Sequence, residues 1–328
     1  MLAIGVDIGG TKCAVNLGEV SGEDAAILQK CKIRKTSDYM PAEMLNAFVE
    51  DILSCKKMLK DSQKIEGIGI SCGGPLDSSR GIILSPPNLP GWDNIPITDY
   101  LRDKTGIPAW LCNDANACAL AEWKMGAGKG CKNVVFLTFG TGLGAGIILD
   151  NRLYTGACDM AGEIGHIRLS DYGPAGYGKM GSFEGFCSGG GIAQLAATMI
   201  REKRQSGKKT TLGGSPDKPE QITAAQVGLA AKNGDPLALD ILRQVGCQLG
   251  KGLSVIIDFL NPECIVIGSI FVRNYDEIWP YAEQVIQEET LPAARKACRV
   301  LPSQLSESLG DIAGLIVAGY HLQTEDEK

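Results

Sequence analysis

The sequence predicts an α/β protein made of two similar lobes facing each other across a cleft, and three observations carry that expectation. The chain has 328 residues, more than one hydrophobic core usually serves. Two segments resemble each other, LAIGVDIGGTKCAVNLG at Leu2–Gly18 and VVFLTFGTGLGAGIILD at Val134–Asp150, each an apolar strand, a Gly/Thr turn and a second apolar strand. Short buried strands alternate elsewhere with segments of helical periodicity.

Taken in order, strands are expected at Ala3–Val6, Cys13–Leu17 and Ala26–Ile33, a helix at Ala42–Leu59 and a buried strand at Ile65–Ile70. The Pro/Gly-rich run Ser85–Pro96 reads as an ordered loop, and a strand at Ala109–Cys112 hands over to a helix starting near Ala115. The second lobe carries the repeated hairpin, a Gly-rich stretch Gly173–Gly191, helices around Ile192–Arg201, Ala224–Lys232 and Pro236–Phe259, and a strand at Cys264–Ile267. The polar segment Glu202–Glu220 reads as a solvated loop, and a last helix from near Asp311 as one that packs back on the first lobe, leaving TEDEK as a frayed tail. The expected division is a smaller lobe over 1–115, joined by the helix 311–325, and a larger lobe over 116–310.

Composition narrows the function. Apolar residues at 44% and charged residues at 21% fit a folded globular chain, and a net charge of −6 argues against nucleic acid or anionic lipid as partner. Asp7 breaks the first apolar run, no basic stretch precedes it, and no run approaches the roughly 18 apolar residues of a membrane span. A cytoplasmic protein is therefore expected. The 12 cysteines are scattered, with no CxxC pair, and read as reduced core thiols.

Chemistry concentrates in a few places. In Asp7-Ile8-Gly9-Gly10-Thr11-Lys12 the glycines let backbone amides approach a phosphate, the Thr11 hydroxyl adds a donor, and Asp7 can hold magnesium directly or through water. The plain alternative is an ordinary tight hairpin, which the second turn, Gly140-Thr141-Gly142, makes less attractive, since two such turns suit a ligand with several phosphates. No GxxxxGK[ST] loop is present, nor a GxGxxG that opens a helix after the first strand, which excludes the usual P-loop and dinucleotide sites. Asn113-Asp114 follows a strand end, where open α/β sheets place ligands; Asp114 can accept a proton from a hydroxyl or simply cap the next helix. Glu163 and His166, three residues apart among glycines, can share a face toward neighbouring hydroxyls, although a lone histidine is as readily structural.

Together these residues resemble the ROK family of repressors and sugar kinases, and within it the glucokinase-like hexose kinases. The resemblance spans nearly the whole chain: DIGGTK at 7–12, GGPLD at 73–77, PNLPGW at 87–92, NDANACALAE at 113–122, TFGTGLGAGI at 138–147, GEIGH at 162–166 and Glu184 closing GKMGSFE. It implies a two-lobed actin-like ATPase fold of the ribonuclease H-like class, ATP and Mg2+ as cofactors, and a homodimer. It further implies that Asp7, Gly9, Gly10, Thr11, Lys12, Gly140, Thr141, Gly142 and Gly268 face the nucleotide. By the same resemblance Gly74, Asn88, Asn113, Glu163, His166 and Glu184 hold the sugar, with Asp114 as general base.

The sequence departs from the family in two places. Many members bind a structural zinc through a CxCGxxGC motif, whose cysteine positions here are Ala175, Tyr177 and Ser182, so no zinc is expected and the loop is left to packing of Tyr177, Met180 and Phe183 or to mobility. A Gly-Gly turn usual near the adenosine appears as Gly268-Ser269. Glucose is the favoured substrate, with fructose, mannose, allose, N-acetylhexosamines and β-glucosides open. A repressor would need a DNA-binding domain before Asp7, for which there is no room ahead of DIGGTK; an inactive sugar-binding protein is the other rival.

Overall fold

The computed structural model describes residues 1–213, 221–305 and 308–326, which form two compact units: Met1–Gly130 with Gly146–Ala161 and Gln304–Lys328, and Cys131–Ala145 with Gly162–Ser303. The helix that begins at Asp114 thus belongs with the first unit, as does the C-terminal helix.

Unit one is organised by a sheet. Strands β1 (Leu2–Ile8), β2 (Lys12–Ser21) and β3 (Asp24–Lys30) form an antiparallel meander, extended at β2 by Arg34–Lys35. After helix α1 (Pro41–Met58), strand β4 (Ile65–Cys72) returns parallel to β1, and β5 (Ala109–Asn113) lies parallel to β4. The strand order is β3-β2-β1-β4-β5. Helix α1 starts at Pro41, whose missing N–H costs nothing there, and the Glu43 carboxylate accepts from the Met40 amide at 2.9 Å. Its inner face, Met44, Phe48, Ile52 and Cys55, is fully buried against the sheet residues Ile4, Val6, Ile68 and Ile70. The C-terminal helix, Leu309–Asp326, packs on β1, β4 and the helix from Asp114, so most of TEDEK continues a helix instead of fraying.

The run Ser85–Pro96 is an ordered loop: Ser85 N–H donates to the Trp92 carbonyl at 3.1 Å, Trp92 is buried, and Ile95–Pro96 pairs with Ile82–Ile83. Helix α2 (Ile97–Thr105) follows, which the sequence reading does not anticipate.

Unit two repeats the plan. Strand β6 (Val134–Phe139) forms a hairpin with β7 (Leu143–Leu149), and past helices α3 (Gly189–Gln205) and α4 (Pro236–Leu260) strand β8 (Cys264–Ile267) returns parallel to β6. After helix α5 (Tyr275–Glu289), β9 (Arg299–Pro302) lies parallel to β8, giving the order β7-β6-β8-β9. This matches β2-β1-β4-β5 of unit one, so the duplication read from the two hairpins extends to the strands that follow. Asp235 caps α4 by accepting from the Leu237 and Ala238 amides, and α4 buries Leu242, Val245, Leu249 and Leu253 in the core. The first residues of Glu202–Glu220 continue helix α3 instead of starting a loop; positions 214–220 lie outside the described residues.

All twelve cysteines are free thiols. Among the described residues, no helix is long and apolar enough to cross a membrane.

Candidate active site

In unit one, strand register brings the site together. Asp7 pairs with Ser71, and Ser71 pairs with Cys112, so the C-terminal ends of β1, β4 and β5 lie side by side. The residues that leave those ends are the turn Gly9–Lys12, Gly73-Gly74 and Asn113-Asp114. Gly73-Gly74 lies against Asn113-Asp114: a Cβ built on Gly73 would lie 3.8 Å from Asp114 Oδ2, and one on Gly74 3.3 Å from Asn113 Nδ2.

The cap of the helix Asp114–Met125 falls on Asn113, whose Oδ1 accepts from the Ala115 amide at 3.0 Å; Asp114 is the first helical residue and its Oδ1 accepts from the same amide at 2.8 Å. Asp114 Oδ2 and Asn113 Nδ2 are left for a ligand. Asp114 reaches solvent, yet protein encloses it on most sides, and that loss of water holds its carboxyl above the ordinary carboxylate range. The same enclosure, with the Asp114 charge adding to it, pushes up the Cys118 thiol on the next turn.

Asp7 is half-buried, and its carboxyl is pushed up to about 7, first by burial, next by the charge of Asp114, with Lys12 opposing and Asp311 adding a smaller push. It accepts no hydrogen bond from any described residue. A carboxylate so placed suits a cation that would restore its charged form, which is the fit a nucleotide-bound magnesium requires.

The turn itself is exposed at Gly10, Thr11 and Lys12, with Gly9 N–H donating to the Lys12 carbonyl at 3.0 Å. Thr36 braces it from behind: its hydroxyl donates to the Gly9 carbonyl at 2.6 Å and its amide to the Thr11 carbonyl at 3.0 Å. Nothing in the sequence pattern points to Thr36. The Ser85–Pro96 loop lies directly on the turn, since a methyl group on Gly10 would meet the Asn88 carbonyl at 2.8 Å.

In unit two, the turn after β6 is closed by the Gly140 amide donating to the Gly142 carbonyl at 3.1 Å, with Thr141 exposed. Glu184 stands against it. The Leu143 amide donates to Glu184 Oε2 at 3.0 Å, and a Cβ on Gly142 would lie 2.8 Å from that oxygen. Glu163 and His166 flank a 3-10 turn over Ile164–His166 and are both exposed. Gly162 makes this turn possible: its φ is +90°, and any Cβ would fall 2.0 Å from the Ala145 carbonyl. Glu163, His166 and Glu184 are thereby gathered beside the β6–β7 turn. Gly268 follows the end of β8, the parallel neighbour of β6, with its amide donating to the Leu137 carbonyl at 3.0 Å.

The loop from Arg168 to Cys187 is held only in part by the packing expected of it. Phe183 is buried, but Tyr177 is 75% and Met180 50% exposed. Hydrogen bonds also hold it: Ala175–Gly176 pairs with Lys179–Met180, Gln194 bridges both backbone groups of Ala175, Leu169 donates to the Gly181 carbonyl, and Ser182 caps the short helix Phe183–Phe186. Tyr177 meets the His166 ring edge-on at 6.3 Å, and Lys179 Nζ donates to the His166 carbonyl at 2.8 Å. Among the described residues, no group of three or more His, Cys, Asp or Glu side chains is placed to hold a metal.

A second brace unseen in the sequence is Asp159. Its carboxylate accepts from the Ser78 amide at 2.7 Å and hydroxyl at 2.8 Å, tying the segment before Gly162 to the hairpin after Gly74. Asp159 has a φ of +58°, unusual for a residue with a side chain.

Comparison with known proteins shows the family. The ROK family profile matches residues 3–319. The chain belongs to the ROK family. The glucokinase of Halalkalibacterium halodurans is 32% identical over 327 residues, 98% of this chain and 95% of that one. A ROK glucokinase from Streptomyces griseus, solved with glucose and AMPPNP, superposes with a TM-score of 0.74 and 30% identity over 98% of this chain and all of that one. This ROK chain accordingly has the two-lobed actin-like ATPase fold. The family also contains regulators: the repressor Mlc of Escherichia coli is 30% identical over 78% of this chain and 61% of its own length.

Proposed function

We propose that this ROK protein is an ATP-dependent kinase that phosphorylates a hexose hydroxyl, glucose being the favoured substrate and its 6-hydroxyl the acceptor. The observation that carries the reading is the register of β1, β4 and β5, which aligns a cation-suited carboxylate, a phosphate-sized turn and a basic carboxylate at adjoining strand ends. Phosphoryl transfer asks chiefly for positioning and charge neutralisation. The Gly9–Lys12 turn presents amides, the Thr11 hydroxyl and the Lys12 ammonium to phosphate oxygens; in unit two the Gly140–Gly142 turn and Gly268 are given to nucleotide binding. Asp7 holds Mg2+, directly or through water; the ion supplies charge neutralisation on the phosphates.

Asp114 accepts the proton of the attacking hydroxyl. Its carboxyl, held above the ordinary range by its loss of water, is a stronger base than a surface aspartate. Asn113 Nδ2, the Gly74 and Asn88 loops, Glu163, His166 and Glu184 hold the remaining hydroxyls. The Leu143 hydrogen bond occupies one lone pair of Glu184 and leaves its other oxygen for sugar.

A second reading, a sugar-responsive regulator without turnover, is favoured by the similarity to Mlc. One assay separates the two: pure protein with ATP, magnesium and a panel of hexoses, scored for ADP and for mass of the sugar phosphate. Sugar-dependent ADP release supports the kinase and ranks glucose against fructose, mannose, allose, N-acetylhexosamines and β-glucosides; sugar binding without ADP contradicts it. By family resemblance the protein is a homodimer, which a sizing column checks.

A further inference from the structure

Ser269 stands where two parallel strands of unit two end together. Leu137 of β6 pairs with Ile267 of β8; β6 gives way to Gly140 three residues after Leu137, and β8 to Gly268-Ser269 directly after Ile267. A Cβ built on Gly140 would lie 3.8 Å from Ser269 Oγ, so this hydroxyl adjoins the turn that the kinase reading gives to phosphate.

The fold itself does not account for a serine here. Its φ of 58° and ψ of −111° lie in a region open to glycine and costly for any residue with a Cβ. The hydroxyl makes no cap bond to the short helix Ile270–Arg273, and it bonds to no other described residue. A glycine would relieve the backbone and sacrifice no side-chain hydrogen bond to any described residue. Strain of this kind persists mainly where a ligand uses the group it presents.

We infer that the Ser269 hydroxyl donates a hydrogen bond to a phosphate oxygen of the bound nucleotide, beside the Gly140–Gly142 turn. The inference rests on the kinase reading and adds a side-chain contact to the nucleotide from the Gly268-Ser269 turn. An alcohol O–H onto an anionic oxygen is a charge-assisted bond, of the stronger class.

Two variants separate hydroxyl from strain. Ser269→Ala removes the hydroxyl and keeps the Cβ; Ser269→Gly removes both. Binding of AMPPNP is measured by calorimetry, and KM for ATP and for sugar by ADP release. In both variants nucleotide affinity falls on the order of tenfold, the sugar KM stays within about twofold of wild type, and Ser269→Gly melts higher than Ser269→Ala. Unchanged nucleotide affinity in Ser269→Ala overturns the inference, as does wild-type affinity in Ser269→Gly, which would assign the effect to the backbone alone. Wild-type protein that binds no AMPPNP would instead overturn the kinase reading, before any variant is compared.

Discussion

Replacing Asp7 with asparagine removes a charge from the place where the protein most opposes one. In the ligand-free protein the Asp7 carboxyl is displaced from its ordinary 3.8 to about 7. At about 1.36 kcal/mol per pH unit, this displacement amounts to roughly 4 kcal/mol. The sign follows from proton binding. Between pH 4 and 7 the folded state holds a proton that the unfolded chain has released, so the contribution is fully present below about pH 4 and is lost as pH rises toward and through 7. At pH 8 the folded protein therefore carries an ionised, half-buried carboxylate, which asparagine does not. Allowing for relaxation and water around a group of this exposure, Asp7→Asn should stabilise the protein by about 2–4 kcal/mol at pH 8, equivalent to about 5–10 °C in melting temperature, and by only about 0.5–1 kcal/mol at pH 4.5. The assay is thermal unfolding of both proteins at the two pH values with EDTA and without nucleotide. Magnesium-ATP should reverse the order, since only the wild-type carboxylate meets the cation, and turnover of the variant should fall by on the order of a hundredfold or more. Equal melting differences at the two pH values, or a variant less stable at pH 8, would refute the reasoning.

Further expectations concern the other braces and the base. Asp114→Asn should lower kcat by about 10² to 10⁴-fold with the melting temperature held and sugar affinity changed little; wild-type turnover should rise with pH through an inflection above the ordinary carboxylate range, because only the ionised Asp114 accepts a proton. Asp159→Gly suits a φ of +58° but loses both Ser78 bonds, so it should raise the sugar KM several-fold while the ATP KM stays level; equal changes in the two constants would count against it. Gly162→Ala cannot avoid the Ala145 carbonyl and should cost about 3 kcal/mol or more of stability, read as a lower melting temperature. Metal analysis of the purified protein should find no stoichiometric zinc, and one zinc per chain would contradict the hydrogen-bonded account of the Arg168–Cys187 loop.

Much of this was legible in the residues. Both Gly/Thr hairpins, helix α1 to within a residue at each end and the strand before Asp114 follow from local periodicity and turn chemistry, which long-range contacts did not override. Helix α5 was not legible because Pro280 lies inside it and reads as a break. The nine-residue helix Ile97–Thr105 hides behind the Pro-rich loop, although Gly106, at φ +72°, is the left-handed residue that usually ends one. At the site, motif residues were visible and their supports were not. Thr36 and Asp159 act through polar groups brought in from distant sequence, and no spacing rule marks such partners. The capping role weighed for Asp114 went to Asn113, one residue earlier, because the helix starts at Asp114 itself.

The most direct measurement is a crystal structure with hexose and AMPPNP both bound. The account predicts the Asp114 carboxylate within about 2.6–3.2 Å of one sugar hydroxyl, with the terminal phosphate on the far side of that oxygen. A sugar bound with every oxygen beyond hydrogen-bond reach of Asp114 would contradict it.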